Sequence, residues 1–429
     1  MLTQIFGNTT HAIATVLSAF MAGLALGSYV FGRLVDDGRN ALLAYGLLEG
    51  GVGLYGFMVP TLFALTQQAY GFLYGLVDVS FAAFSVVLFF LSFIVIVIPT
   101  ALMGATLPVL SRFCVTQVAA LGRRVGDLYA INTLGAVLGC GLTGFLLISR
   151  LGLRGTVRLG ASVNLAIAVT IVLLVAVLHR QRFIPRAGED EAATTPTATP
   201  VRSRQEMALL ISFGLSGAAA MVYENAWTRA LTLVIGMSTY SFTVMLTTFL
   251  VGLGLGSLLY ARGWGKRQIG MVGFGVLQLL IALSSLATIP LFERLPLLFL
   301  RLRLGFGDSL QQFLAIQMLM SALVMLIPTL LLGATFPAVA QIYTRSVEVV
   351  GRSVGTAYAS NTLGAIVGAF LSGFVFIPVI GVQHSIALAV VLNAAVGVLL
   401  VALDARVQPG RRLLAAAFML LVSVSAFLG

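Results

Sequence analysis

Along the chain, apolar runs of about twenty residues alternate with short polar stretches, with neither two-residue alternation nor a short helical repeat of polar positions between them. A run of that length matches the roughly 30 Å hydrocarbon core of a bilayer when wound as a helix. The runs predict helices near 10–32, 41–65, 80–110, 126–149, 157–178, 206–228, 238–260, 268–290, 309–340, 355–377, 385–404 and 412–429. One long polar stretch interrupts them: from Arg180 it reads RQRFIPRAGEDEAATTPTATPVRSRQ, rich in Pro, Thr and charge, as a flexible linker is. The expected organisation is a five-helix bundle over 1–179, a linker over 180–205, a six-helix bundle over 206–404 and one more helix over 405–429.

Composition agrees with the pattern. The 429 residues are 59% hydrophobic and 9% charged, with mean hydropathy +1.05, too few charges to coat a soluble globule. The fold class expected is all-α and polytopic. A formal charge of +11 would fit nucleic acid, but the basic residues sit in short loops between spans. If the first helix runs inward, 18 of the 25 basic residues fall on one side, which the positive-inside rule makes cytoplasmic. The linker is then cytoplasmic too. The expected location is a plasma membrane, the bacterial inner membrane, with the lipid bilayer as the main partner and no nucleic acid. Cys114 and Cys140 imply no disulfide framework.

The chain is duplicated. TTHAIATVLSAFMAGLALGS from Thr9 aligns with STYSFTVMLTTFLVGLGLGS from Ser238 at an offset of 229. PTALMGATLP from Pro99 pairs with PTLLLGATFP from Pro328, and YAINTLGAVLG from Tyr129 with YASNTLGAIVG from Tyr358, at the same offset. The second copy opens with a helix at Met207–Thr228 whose counterpart would precede Met1, so the expectation is that the first helix of the N-terminal half is missing. An in-frame apolar segment upstream would support it.

Two helical halves joined by a polar linker resemble the major facilitator superfamily, and Gly32-Arg-Leu-Val-Asp36-Asp-Gly38-Arg39 resembles that superfamily's loop between its second and third helices, one residue short. GLALGS, PTALMGATLP, LYAINTLGA, SGAAAMVYENAW and their repeats resemble, more closely, the membrane part of the fused major facilitator/spermidine synthase proteins. That resemblance implies about twelve transmembrane helices and a transporter-like role. In that family an aminopropyltransferase domain usually follows the membrane part, and none is present in this sequence. It also implies a polyamine as cargo, or an aminopropyltransferase as partner.

The candidate site residues are those that a bilayer makes costly. Glu49 lies inside a span, where a lone carboxylate costs several kcal/mol; its counterpart at the offset is Gln278, and an acid opposite an amide suits cation binding or proton coupling. Tyr129/Asn132 and Tyr358/Asn361 are i, i+3 pairs that either fasten helices or line a cavity. Glu224 either pairs with Arg229 at the membrane edge or serves function; Asp127 is a dipole partner or a loop ion pair. Pro99, Pro108, Pro328 and Pro337 bend their helices, as structural kinks or as a gate. Asp36 and Arg39 form a polar turn expected to act as a conformational latch. Gly252-Leu-Gly254-Leu-Gly256, like Gly135/Gly139 and Gly364/Gly368, lets helices pack closely rather than cradling phosphate. No His, Cys or carboxylate cluster, nucleophile elbow or cofactor motif is present. The reading is a permease working by alternating access, with a non-transporting scaffold for polyamine synthesis as the alternative.

Overall fold

The computed structural model describes residues 10–37, 40–76, 81–180, 204–265, 269–306, 309–404 and 407–428. The described chain is thirteen α-helices, without a strand. In the first half they are α1 (Thr10–Leu34), α2 (Ala41–Leu76), α3 (Phe81–Cys114), α4 (Leu121–Leu142) and α5 (Ile148–Arg180). The second half holds α6 (Arg204–Ile235), α7 (Thr239–Gly263), α8 (Gly270–Leu286), α9 (Ile289–Phe306), α10 (Leu310–Tyr343), α11 (Val350–Leu371) and α12 (Ile377–Leu403), with α13 (Pro409–Leu428) after it. Arg39 and residues 181–203 of the linker lie outside the described residues.

The duplication is written into the helix boundaries. α1 and α7, α3 and α10, and α4 and α11 begin and end 229 positions apart. One-turn π segments follow α4 at Thr143–Leu147 and α11 at Ser372–Phe376, again at that offset. Just beyond them Gly152 (φ 65°) and Gly381 (φ 81°) break the helix in conformations that only glycine adopts without cost.

Among the described residues, eight helical runs are long and apolar enough to cross a bilayer, or nine with α8 and α9 counted as one span bent by 42°. The expected helices 126–149 and 157–178 are two arms of one helical path kinked at Gly152, and 355–377 and 385–404 are the same at Gly381. α9 fell outside the apolar runs because Glu293, Arg294, Arg301 and Arg303 interrupt it; it packs on α10 through Phe299 against Phe313, with the Arg303 guanidinium over the same ring. The large buried core belongs mostly to the second half, where Phe213, Tyr223, Trp227, Phe274 and Met320 are almost wholly inaccessible.

The paired glycine motifs account for the tightest contacts. A Cβ on Gly23 would overlap Thr100, and one on Gly27 would overlap the Ala101 carbonyl; Gly252 and Gly256 stand in the same relation to Thr329 and Leu330. These glycines pack α1 on α3 and α7 on α10 without a side chain between. Pro99 removes the hydrogen bond to the Val95 carbonyl, and the Tyr55 hydroxyl on α2 donates to that oxygen at 3.0 Å.

Candidate functional site at the seam between the halves

The halves meet along two seams, α1 on α11 and α7 on α4, which exchange under the repeat. Ser28 Oγ donates to the Gly355 carbonyl at 3.4 Å, and Ser257 Oγ to the Gly126 carbonyl at 2.9 Å. All four residues are buried and each pair maps onto the other at the offset of 229. Small residues recur down both seams: a Cβ on Gly32 would crowd the Gly351 carbonyl, and one on Gly126 the Ala261 methyl.

At the end of the bundle where the linker attaches, the α1–α11 seam closes with charge. Asp36, just past α1, accepts the backbone N–H of Gly351 at 3.0 Å and of Arg352 at 2.7 Å, two of the unsatisfied donors at the start of α11. Arg112 Nε, at the end of α3, stands 3.4 Å from the same carboxylate. Burial pushes the Asp36 carboxyl up to about 6; the two N–H bonds and Arg112 oppose that, and Asp37 adds to it. The repeat replaces Asp36 by Gly265 and Arg112 by Gln341, so the α7–α4 seam has no counterpart of this clasp. There Tyr260 Oη donates to Gln341 Oε1 at 2.6 Å, and Gln341 Nε2 donates to the Gly265 carbonyl at 3.3 Å. Sequence reasoning singled out Asp36 and missed Arg112, Tyr260 and Gln341. The offset held the signal, since 112 and 341 both carry polar side chains at the end of an otherwise apolar helix.

Deeper along the seams, the two repeat-related tyrosines meet one ring. Tyr129 on α4 lies 4.9 Å from Phe336 of α10 between ring centroids, and Tyr358 on α11 lies 5.6 Å from it at 87°. Both tyrosines stand eight residues into their helices, about 12 Å above the helix starts. Phe336 thus joins the halves through an aromatic cluster above the clasp.

The other candidates are placed separately. Asn361 Nδ2 donates to the Phe213 carbonyl of α6 at 3.1 Å, whereas Asn132 is exposed and has no hydrogen-bond partner among the described residues. Gln278 is fully buried, with Nε2 on Ser216 Oγ of α6 at 2.9 Å. Glu49, half-buried, hydrogen-bonds the Tyr45 hydroxyl one turn back on α2. Glu49 and Gln278 therefore have different partners, each within its own half. Glu224 is half-buried among Tyr223, which takes a bond from Asn393 Nδ2 at 3.4 Å, Asn225, which donates to Ser372 Oγ at 2.6 Å, and Trp227, which donates to Thr288 Oγ1 at 3.2 Å. It makes no ion pair with Arg229 among the described residues. Asp127 pairs with Arg123 at 3.8 Å one turn away, beside a cleft of about 640 Å³ that Arg124 and Arg262 also line. Pro108, Pro328 and Pro337 are buried and Pro99 partly so, all inside continuous helices.

These features define an all-helical, internally duplicated integral membrane protein whose halves meet along two repeat-related seams. No family model matches the sequence. The chain is similar to Polyamine aminopropyltransferase 1 of Streptomyces coelicolor, at 26% identity over 230 residues, covering 52% of this chain and 39% of that protein. It thus spans about two fifths of that relative's length. Among solved structures it is similar to the human organic anion transporter MFSD10 (TETRAN), at 14% identity and a TM-score of 0.43, over 91% of this chain and 99% of the other.

Proposed function

We propose that this chain is a transporter of the major facilitator type, moving a small cationic metabolite by alternating access between its halves. The observation that carries this reading is the pair of repeat-related seams, closed at the linker end by the Asp36 clasp and, above it, by the Tyr129–Phe336–Tyr358 cluster. In this reading the linker end faces the cytoplasm of a bacterial cell, and clasp and cluster form the inner gate that parts when one half rocks against the other. Glu49 is the cation-binding or proton-coupling acid, with Glu224 as a second carboxylate within a span. A polyamine is the cargo we favour, on the sequence resemblance and the name of the Streptomyces relative.

The experiment is uptake of labelled putrescine and spermidine into proteoliposomes, with and without a proton gradient. Gradient-driven uptake that Glu49→Gln abolishes is the expected result. Uptake unchanged in Glu49→Gln would remove Glu49 from the mechanism, and no uptake of either amine would remove the polyamine reading. The relative's name also favours a second reading, a membrane scaffold for an aminopropyltransferase. Tight copurification with such an enzyme, without uptake, would favour it.

A further inference from the structure

We infer that the first half carries a docking groove, formed by α4 with Glu49 of α2 and open among the described residues, for a transmembrane helix with the contact chemistry of α6. The second half supplies the template. There α6 is held by five positions: Ser360 Oγ donates to the Leu210 carbonyl at 2.7 Å, Asn361 Nδ2 to the Phe213 carbonyl at 3.1 Å, and Gln278 Nε2 to Ser216 Oγ at 2.9 Å. Gly364 and Gly368 press on the backbones of Gly214 and Ala218, where a Cβ would overlap carbonyl oxygens.

Moved back by 229, these five positions are Ile131, Asn132, Glu49, Gly135 and Gly139. Three of them keep the chemistry of a helix clamp: a side-chain amide and two glycines four residues apart. Among the described residues, none meets a second helix in the way its counterpart does. A Cβ on Gly135 or Gly139 would find nothing within 4 Å among the described residues. Ile131 is 68% exposed. Asn132 is exposed without a hydrogen-bond partner among the described residues, and Glu49 has only Tyr45 of its own helix. An amide left facing lipid costs free energy that one accessible carbonyl would recover.

These demands specify the occupant. It is a single apolar helix running parallel to α4, as α6 runs along α11. It carries small residues against Gly135 and Gly139, a backbone carbonyl open to Asn132 and a hydroxyl or amide donor for Glu49. In a second copy of this chain the small-residue faces on α1 and α7 are already packed on α3 and α10, which leaves its own α4 face, and self-crosslinking in the test below reads that alternative. The face that α13 leaves open is bulky, with Leu413, Leu414, Leu420 and Leu421 all more than 60% exposed. The inference does not depend on transport.

The test uses the full chain with Cys114 and Cys140 replaced by Ser and Gly139→Cys introduced, reconstituted in lipid with a synthetic peptide of residues 204–235 carrying Ala218→Cys. With Trp227 and Trp264 of the chain replaced by Phe, the fluorescence of the peptide's Trp227 reports that the peptide has inserted. Oxidation is expected to give a chain–peptide disulfide, matching the Gly368–Ala218 contact, and a peptide with Gly214→Leu and Gly217→Leu to give about tenfold less. An inserted peptide that forms no disulfide, or a chain that crosslinks to its own copy through the introduced thiol instead, would overturn the inference. A second measurement needs no peptide. Gly139→Leu should leave the melting temperature of the chain unchanged while Gly368→Leu lowers it, and equal losses would overturn the open groove.

Discussion

The carboxylate of Asp36 reaches across the boundary between the halves to the backbone N–H of Arg352 at 2.7 Å, while Arg112 of its own half stands 3.4 Å from its other oxygen. The bond ties the end of α1 to the start of α11, which is 316 residues away in sequence. Its strength depends on the protonation of one buried acid.

That dependence has a sign. Burial raises the Asp36 carboxyl from its ordinary 3.8 to about 6 in the clasped form, so the clasped form binds the proton more tightly than an opened, solvated one. By linkage the contribution of this group to closure is fully present below about pH 4 and is lost as pH rises through about 6. Spin labels at Asn40→Cys and Glu348→Cys, in a background without Cys114 and Cys140, should show longer and broader separations at about pH 8 than at about pH 5. In Asp36→Asn the separation should not change with pH. A wild-type separation that lengthens on acidification would contradict the assignment.

Phe336 is predicted to hold the seams together at the level of Tyr129 and Tyr358. Phe336→Ala removes a buried ring with three aromatic neighbours and should destabilise the protein by about 3–5 kcal/mol. Phe336→Leu should recover more than half of that, because it refills most of the volume. Thermal unfolding in one detergent compares the three proteins. A loss below about 1 kcal/mol for the alanine variant would mean that the cluster adds little.

Tyr55 serves the carbonyl that Pro99 leaves without its helical donor. Tyr55→Phe keeps the ring and deletes the bond to the Val95 oxygen, for an expected cost of about 1 kcal/mol. Pro99→Ala restores the backbone donor, so in that background the same change should cost less. A double-mutant cycle on melting temperatures reads the coupling, and strictly additive effects would disprove the link.

Gly27 and Gly256 are predicted to be equivalent. Alanine at either meets a backbone carbonyl of the neighbouring helix, so each should cost about 1–3 kcal/mol by forcing the helices apart. A large loss at one position with none at the other would mean that the two halves do not share this contact.

The span pattern, the duplication with its offset and the contacts of Gly23, Gly27, Gly252 and Gly256 were legible in the order of residues, whereas Gly135 and Gly139, expected to pack like Gly364 and Gly368, meet nothing within 4 Å among the described residues. The legible features depend on chain-local properties: apolar runs as long as a bilayer is thick, and identical residues that make identical helix pairs. Gly152 and Gly381 also stand 229 apart in the sequence, but that each breaks its helix is not legible there, since a positive φ leaves no mark in sequence beyond the glycine itself. The α9 helix was hidden because its charges outweigh its apolar face until that face is seen against α10. The partners of the polar residues emerged only in the folded chain. Asn132 and Asn361 share the pattern Tyr-Ala-x-Asn-Thr-Leu-Gly-Ala, yet Asn132 is exposed and Asn361 holds α6, because the difference lies in a helix contributed from far along the chain. Glu49 and Gln278, paired by the offset, go to different partners for the same reason. Asp36 became a clasp only when the start of α11 was brought to it, since a carboxylate's role depends on which donors stand within about 3 Å, and folding alone brings those together.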